Sequence, residues 1–435
     1  MKPRILRRKI KVKSVQLNKP KVEGNKIFYS WSHNPLLDEK GYWIEYKQLT
    51  KITSAGEEEI LAPYLPICLA FAVLGDIEVV LPFKLDERIF NKWQEIINCT
   101  ARDVYSRKTF FCLKNGDQPL GKSVWDGGKT GLFFGGGSES LLSLARLKEK
   151  GIDPILLSFE GELWHGSDHL INPHKFELEE GVASEFGLNI FLVSTSFFKL
   201  IYSPDEDWRE YLGHNLWGII MSALHVPFFL TAIMPVARQI GLKYLVVGNE
   251  EEDYYDVSLY CFCKGPLDRL KDLISPLDYK SYISDMSKRD VLEELHMKFT
   301  KLAKYQYSCQ MNEKERWCLR CEKCFLNYIF FKLNNIDLTN VGIDEDEAKA
   351  RLADMIHAAK RAVAEDAGKR REYNKYMTEA LRKDNKEVCI LLKSVFSNIH
   401  FRIFKHFLSL RKRIVITFFK NMFTDIRIFL SSRTN

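Results

Sequence analysis

The sequence predicts an α/β protein whose central domain is built on a parallel β-sheet. Between residues 128 and 333, short apolar runs with the character of strands alternate with segments of helical periodicity. Several runs are continuously apolar, as expected for parallel strands that helices cover on both faces. The strand candidates are Leu132–Phe134, Ile155–Phe159, Ile190–Ser194 and Leu245–Gly248.

A glycine-rich turn follows the first of these strands, in the stretch GLFFGGGSESLLSLARL from Gly131 to Leu147. Leucine and alanine recur at helical spacing from Leu141 onward, so the stretch predicts a strand, a turn and a helix. Glycine allows positive φ and close approach of the backbone to a ligand, and the N–H groups at a helix start favour an anion. Phosphate is the expected ligand; a tight turn between two core elements is the alternative.

Polar side chains also follow the other predicted strands. In a parallel sheet, ligands bind beyond the carboxyl ends of the strands. We therefore expect the glycine turn, Glu160, residues 194–196 and residues 249–252 to lie along one edge of the sheet.

The region before the glycine turn carries no motif with evident chemistry. Residues 21–127 predict a mixed α/β N-terminal domain, with strands at 26–30, 42–46 and 77–83. Helices are expected at 60–74 and around the stripe of Ile89, Trp93, Ile96 and Ile97. Residues 1–20 form a basic arm without the apolar segment of a signal peptide, and we expect this arm to be solvated and disordered.

Charge is unevenly distributed along the 435 residues. The net charge is +7, and residues 393–435 hold nine Lys/Arg against one acidic residue. The rest of the chain is therefore close to neutral, which argues against nucleic acid as a partner.

The segment from Asn215 to Ala237 contains no Asp, Glu, Lys or Arg and is long enough to span a bilayer. Pro227 and Pro235 interrupt it, and it lies between two predicted strands. We therefore expect a buried helix, broken at Pro227, in place of a membrane span.

Residues 336–435 predict a helical extension. Residues 344–386 are rich in charge and favour helix. In residues 397–430, basic side chains recur every seventh position on a segment rich in Phe and Ile: His406, Arg413, Lys420 and Arg427. Such a basic amphipathic helix binds a membrane surface, or it docks on the protein body or on a partner protein.

Four of the ten cysteines form a cluster with the spacing C-x8-C-x2-C-x2-C, namely Cys309, Cys318, Cys321 and Cys324. Thiolates at this spacing predict a four-cysteine zinc site, and an iron–sulfur cluster is the alternative. Four thiolates leave no open coordination position, so the expected role is structural. Clustered thiols in a chain of this length also indicate a reducing compartment.

The sequence GGGSES resembles the SGGxDS signature of the PP-loop, or N-type ATP pyrophosphatase, superfamily. Gly136 and Gly137 stand at the paired glycines and Ser140 at the last serine. Gly135 replaces the first serine, and Glu139 replaces the aspartate with a carboxylate one methylene longer. The resemblance implies the adenine nucleotide alpha hydrolase-like fold for residues 128–335.

The order of the motifs narrows the resemblance. A PP-loop domain followed by this cysteine spacing resembles the 7-cyano-7-deazaguanine synthase family. Other features resemble the UDP-N-acetylmuramoyl-L-alanyl-L-glutamate epimerase family: the separate N-terminal domain, His225-Val226-Pro227, Val247-Gly248-Asn249-Glu250 and Arg316-Trp317-Cys318. The likeness extends over residues 25–333.

This resemblance implies an enzyme that uses ATP and Mg²⁺ to adenylate a carboxylate, with release of AMP and pyrophosphate. The implied substrate is the terminal L-glutamate of a peptide or of a UDP-muramoyl-peptide, a peptidoglycan precursor. Adenylation removes a negative charge and acidifies the α-proton, so that its removal and return on the other face inverts the centre. The expected location is cytoplasmic, and the tail allows peripheral contact with the inner membrane surface.

The resemblance and the expected edge of the sheet also assign roles to residues. Glu139, His225 and Glu250 are the catalytic candidates, with Glu139 as an oxygen ligand of Mg²⁺ and His225 as the proton-transfer base; a structural histidine is the alternative. The nucleotide-binding candidates are Gly135, Gly136, Gly137, Ser138, Ser140 and Asn249. Two other functions remain open: a ligase of the deazaguanine synthase type, in which ammonia captures the adenylate, and a non-catalytic PP-loop protein.

Overall fold

The computed structural model describes residues 14–32, 41–74, 77–105, 111–116, 125, 127–160, 173–197, 227–248, 277–307, 316–365 and 367–396. The chain divides into two compact units, Met1–Arg316 and Trp317–Asn435.

Twelve strands are described, all in the first unit. They are β1 (Ser14–Leu17), β2 (Lys21–Glu23), β3 (Lys26–Tyr29), β4 (Trp31–Ser32), β5 (Tyr42–Tyr46), β6 (Ile77–Val80), β7 (Phe111–Lys114), β8 (Lys129–Phe133), β9 (Ile155–Glu160), β10 (Ile190–Thr195), β11 (Leu242–Val246) and β12 (Asp278–Lys280). A four-stranded sheet has the order β4-β1-β6-β7, and an eight-stranded sheet has the order β12-β11-β8-β9-β10-β5-β3-β2.

The five strands β8 to β12 of the large sheet are parallel. The chain passes from β8 through β9 to β10 in one direction, then returns to place β11 on the other side of β8. The direction of the strand order therefore reverses at β8, which has β9 on one side and β11 on the other. In open α/β sheets, such a reversal leaves a crevice at the carboxyl ends of the strands, where ligands bind.

Helices cover this sheet on both faces. The helices of the first unit are α1 (Glu57–Leu61), α2 (Tyr64–Leu74), α3 (Glu87–Tyr105), α4 (Ser138–Glu149), α5 (Pro173–Phe186), α6 (227–237), α7 (Lys288–Lys298) and α8 (Thr300–Ala303). Alternate residues of β9 face opposite cores: Leu156 packs with α4, α5 and α7, whereas Leu157 packs with α2 and α6. Two buried faces explain why these strands are continuously apolar.

The predicted α/β class is confirmed, and β8, β9, β10 and β11 coincide with the four predicted strands within a few residues. The N-terminal region contributes strands to both sheets. Strands β5, β3 and β2 extend the large sheet in antiparallel fashion beyond β10.

Two local expectations about the N-terminal region are wrong. Residues 14–17 of the predicted solvated arm form β1, because Val15 and Leu17 alternate with polar residues and are buried. The predicted helix 60–74 is divided into α1 and α2, with Pro63 between them. Pro66 is tolerated inside α2 because it lies in the first turn, where its missing N–H would have no intrahelical partner.

The segment from 227 to 237 is the buried helix α6, as expected from Pro227 onward; residues 215–226 lie outside the described residues. Within the described residues, every helix is too short or too polar to cross a bilayer.

The second unit is helical over its described residues. It contains a 3₁₀ turn (Leu338–Val341) and five helices: α9 (Glu322–Leu333), α10 (Glu345–Ala350), α11 (Leu352–Glu365), α12 (Ala367–Arg382) and α13 (Lys386–Phe396). Its core contains the buried side chains of Phe325, Ile329, Met355, Tyr373 and Leu392. The described residues of the predicted extension are helical up to residue 396, and the basic tail 397–430 lies outside the described residues.

Candidate functional site

The glycine turn lies at the carboxyl end of β8, where the strand order reverses. Gly136 has a φ of 69°, in the left-handed region that favours glycine. Gly137 is the N-cap of α4, so the helix receives no hydrogen bond from an N-cap side chain. The first-turn N–H groups of α4, which favour an anion, therefore receive no N-cap side chain, and the Glu139 Oε2 atom lies 2.9 Å from the position of a Cβ on Gly137.

The two serines of the turn are buried. Ser138 is 1% exposed and Ser140 is 7% exposed. The Ser140 hydroxyl donates to the carbonyl oxygen of Gly137 at 3.0 Å, which braces the turn from within. Ser140 therefore stabilises the conformation of the loop.

Gly248, just beyond β11, packs directly against the start of α4. A Cβ built on Gly248 would lie 2.9 Å from the Glu139 carbonyl carbon and 3.0 Å from the Ser140 nitrogen. Only glycine allows this approach, so the end of β11 and the start of α4 are in direct contact. Asn249 and Glu250, which follow directly, lie outside the described residues.

Glu139, in the first turn of α4, is paired with a lysine from a distant helix. Its Oε1 lies 2.8 Å from the Nζ atom of Lys288, the first residue of α7, and both side chains are about one-fifth exposed. Helix α7 is itself held against α4 by the ion pair between Arg146 and Glu294, at 2.9 Å. The carboxylate proposed for metal binding thus has a cation beside it.

Tyr307 lies against the glycine turn. The Tyr307 N–H donates to the Gly136 carbonyl oxygen at 2.6 Å. The Arg316 guanidinium donates to the carbonyl oxygen of Gln306, its Nε atom at 3.1 Å, and also to that of Lys304. Burial lowers the pKa of Arg316 to about 10. Hydrogen bonds from outside the motif therefore fix the backbone that supports Gly136.

Further along the same edge, Glu160 and Ser194 are neighbours in the register of β9 and β10, and the Ser194 hydroxyl donates to the Glu160 carboxylate. This placement agrees with the expectation from the sequence. Ser196 instead accepts a hydrogen bond from the Trp43 N–H at 3.0 Å, so its hydroxyl stabilises the junction with β5.

Sequence reasoning missed Lys288, Tyr307 and Lys175, which all lie at the turn. The Lys175 Cε atom is 3.9 Å from the position that a Cβ on Gly135 would take. Lys288 and Tyr307 stand about 150 residues or more from the turn, and nothing local in the sequence marks them. Lys175 lies in the first turn of the helix after β9, a position that the predicted fold directs to the same edge of the sheet.

The second candidate site is the cysteine cluster of the second unit. The thiols of Cys318, Cys321 and Cys324 are buried, and their Sγ atoms all lie within 4.8 Å of one another. Cys318 Sγ and Cys324 Sγ are 3.8 Å apart. Tetrahedral zinc with Zn–S bonds of about 2.3 Å spaces its sulfur ligands by about 3.8 Å. The cluster therefore fits a metal ion.

Backbone N–H groups support these sulfur atoms. The Arg320 N–H donates to Cys318 Sγ, and the Cys324 N–H donates to Cys321 Sγ, each at 3.4 Å. Leu319 adopts a φ of 48°, which turns the chain tightly between the first two cysteines. These two N–H groups hold the sulfur atoms of Cys318 and Cys321 in position.

Three predicted site residues besides Asn249 fall outside the described residues, namely His225, Glu250 and Cys309. Comparison of the chain with models of known protein families finds no match. Comparison with curated proteins also finds no match. The class that the described residues define is an α/β protein with a glycine loop at the reversal of its strand order and a separate cysteine cluster.

Proposed function

We propose that the first unit contains a PP-loop ATP-binding domain, and that the protein is an ATP-dependent enzyme that adenylates a terminal carboxylate. The proposed reaction epimerises a terminal L-glutamate of a peptide or UDP-muramoyl-peptide and releases AMP and pyrophosphate. One observation carries the proposal: a glycine loop and a glycine-capped helix N-terminus meet Gly248 where the strand order reverses.

The chemistry of this loop suits a polyphosphate. The helix dipole, the first-turn N–H groups and the nearby lysines Lys175 and Lys288 all favour negative charge. Glu139 supplies a carboxylate, the kind of hard oxygen ligand that Mg²⁺ takes beside phosphates. Because Lys288 already pairs with Glu139, we propose that the lysine turns toward the phosphates when the metal ion binds.

After adenylation, the proposed reaction requires proton transfer at the α-carbon of the substrate. Adenylation supplies the activation, since it removes the charge of the carboxylate and acidifies the α-proton. The chain must then accept a proton on one face and return one on the other. Water then hydrolyses the acyl-adenylate, which releases AMP and returns the free carboxylate. We assign the proton transfer to His225, and we assign to Glu250 and Asn249 the contacts to Mg²⁺, nucleotide or substrate.

For the cysteine cluster we propose a structural zinc ion with Cys309 as its fourth ligand. The support is the buried set of Cys318, Cys321 and Cys324 with its N–H···S hydrogen bonds. Four thiolates would close the coordination sphere, so no step of the proposed reaction passes through this metal.

The test incubates the protein in D₂O with ATP, Mg²⁺ and a panel of glutamyl-terminated acceptors, including UDP-muramoyl-peptides. It follows AMP, pyrophosphate and deuterium at the α-carbon of glutamate. AMP together with deuterium supports the epimerase. AMP with an amide product, when ammonia is present, identifies the ligase instead.

A matched pair of variants on one helix completes the design. Glu139→Gln should abolish turnover, whereas Glu149→Gln, at the exposed end of the same helix, should leave it unchanged. If the wild-type protein releases no AMP with any of the acceptors, the catalytic proposal is wrong. Nucleotide binding without turnover would then identify a non-catalytic PP-loop protein.

A further inference from the structure

Lys175, in the first turn of α5, extends toward the glycine turn. Its Nζ atom lies 3.4 Å from the carbonyl oxygen of Phe159, at the carboxyl end of β9. Its Cε atom lies 3.9 Å from the position of a Cβ on Gly135. The side chain is 20% exposed, so the ammonium group is partly desolvated beside the loop.

A buried carboxylate fixes this lysine. Glu179 stands one turn later on α5, its side chain is 1% exposed, and its Oε1 atom lies 3.7 Å from Lys175 Nζ. The Ser158 hydroxyl, on β9, donates to its Oε2 atom. A carboxylate in an apolar layer is costly unless it is paired and hydrogen-bonded. Lys175 therefore forms an ion pair, longer than a hydrogen bond, with a carboxylate that is buried in the fold.

We propose that Lys175 is a phosphate-binding residue of the glycine loop, and that Glu179 is the positioning residue that holds it there. The inference rests on the proposed function, because it assigns the loop a phosphorylated ligand. Its ligand class is a polyphosphate, either the triphosphate of a nucleotide or inorganic pyrophosphate. Lysine suits this role as a compact cation on a flexible stem that can move from Phe159 to a phosphate oxygen.

A merely structural ion pair between α5 and β9 would behave differently. Its removal would lower the stability of the protein and would affect every ligand alike. A phosphate-binding lysine affects only ligands that carry phosphate, and part of the affinity that it supplies is screened by salt. Ligands with and without phosphate therefore separate the two roles.

The experiment measures equilibrium binding to the full chain by calorimetry in the presence of Mg²⁺, with ATP, inorganic pyrophosphate and adenosine as probes. The variants are Lys175→Met, Lys175→Arg and Glu179→Gln. The control is Lys148→Met, which removes a lysine at the opposite end of α4 that pairs with Asp153. Thermal unfolding without ligand shows whether each variant is folded.

Lys175→Met should weaken the binding of ATP and of pyrophosphate roughly 10- to 100-fold, the loss expected for a charge-assisted hydrogen bond, and leave adenosine unaffected. Lys175→Arg should recover most of the affinity. Glu179→Gln should give a smaller loss for the same two phosphate ligands, and Lys148→Met should match the wild type.

Wild-type affinity for ATP and pyrophosphate in a folded Lys175→Met variant would overturn this inference and leave the proposed function standing. An equal loss for all three probes would also overturn it and indicate a structural ion pair. If the wild type binds neither ATP nor pyrophosphate, both this inference and the proposed function are wrong.

Discussion

Replacement of Gly248 by alanine tests whether the proposed phosphate site requires the close approach of β11 to α4. The added Cβ would lie 2.9 Å from the Glu139 carbonyl carbon, and 3.0 Å from both Glu139 Cβ and the Ser140 nitrogen. An ordinary contact begins at 3.4 Å, so each separation must grow by at least about 0.4 Å. None of the three atoms belongs to the far end of a flexible side chain. The start of α4 or the end of β11 must therefore move.

Overpacking of this kind costs about 1–3 kcal/mol, because well-packed interiors transmit the displacement to their neighbours. We expect Gly248→Ala to lower the free energy of unfolding by that amount in urea denaturation. A shift of the α4 start also misplaces the first-turn N–H groups, so pyrophosphate affinity should fall by at least about tenfold.

Gly128→Ala is the matched control. A Cβ on Gly128 would have nothing within 4 Å, and this glycine is not among those with positive φ. Its stability should be unchanged or raised by about 0.4–1 kcal/mol through the lower entropy of the unfolded chain. If Gly248→Ala matches Gly128→Ala in both stability and pyrophosphate affinity, the close approach does not build the site.

Three further predictions concern the loop, a buried histidine and the cysteines. Gly135→Ser should fold normally and bind ATP more tightly, since a Cβ at 135 meets only Lys175 Cε at 3.9 Å; weaker binding in calorimetry would contradict this. Burial lowers the pKa of His296 below its ordinary value of 6.5. The unfolded chain thus binds the proton more readily than the folded chain. The contribution of neutral His296 to the free energy of unfolding should therefore be constant above about pH 6.5 and decrease as the pH falls below that value. His296→Gln should remove that component, and an unchanged pH dependence would refute it. Protein kept reduced should hold about one zinc per chain by atomic absorption, and Cys321→Ser should lose it with a lower Tm; full zinc content in that variant would exclude Cys321 as a ligand.

Features that depend on residues close together in the sequence could be predicted from it. Continuous apolar runs predicted β8 to β11, because a strand that is buried on both faces has apolar residues at successive positions. The glycine turn after β8 was evident for the same reason, since positive φ at Gly136 and the close approach to a helix start require glycine. The paired cysteines Cys321 and Cys324 were recognisable because their contact is made within one helical turn.

Other features depend on contacts between distant parts of the chain. Strands β5, β3 and β2 join the large sheet through the pairing of β5 with β10, some 150 residues apart, and period-2 patterning identifies a strand without naming its neighbour. The same holds for Lys288 beside Glu139 and for Tyr307 beside Gly136. Pairing partners of this kind follow from the tertiary structure alone.

These long-range contacts bear on the departures of the turn from the PP-loop pattern. The loop is held by Gly248 at the start of α4, by the Tyr307 N–H at Gly136 and by Lys288 at Glu139, and none of the three belongs to the motif. A loop fixed in this way pays little conformational entropy on binding, so its affinity depends on geometry more than on any single hydroxyl. Under the proposed function, glycine at position 135 removes one contact to a phosphate without disturbing the backbone that would make the others. We therefore propose that the loop can lack the first serine of the pattern and still bind phosphate.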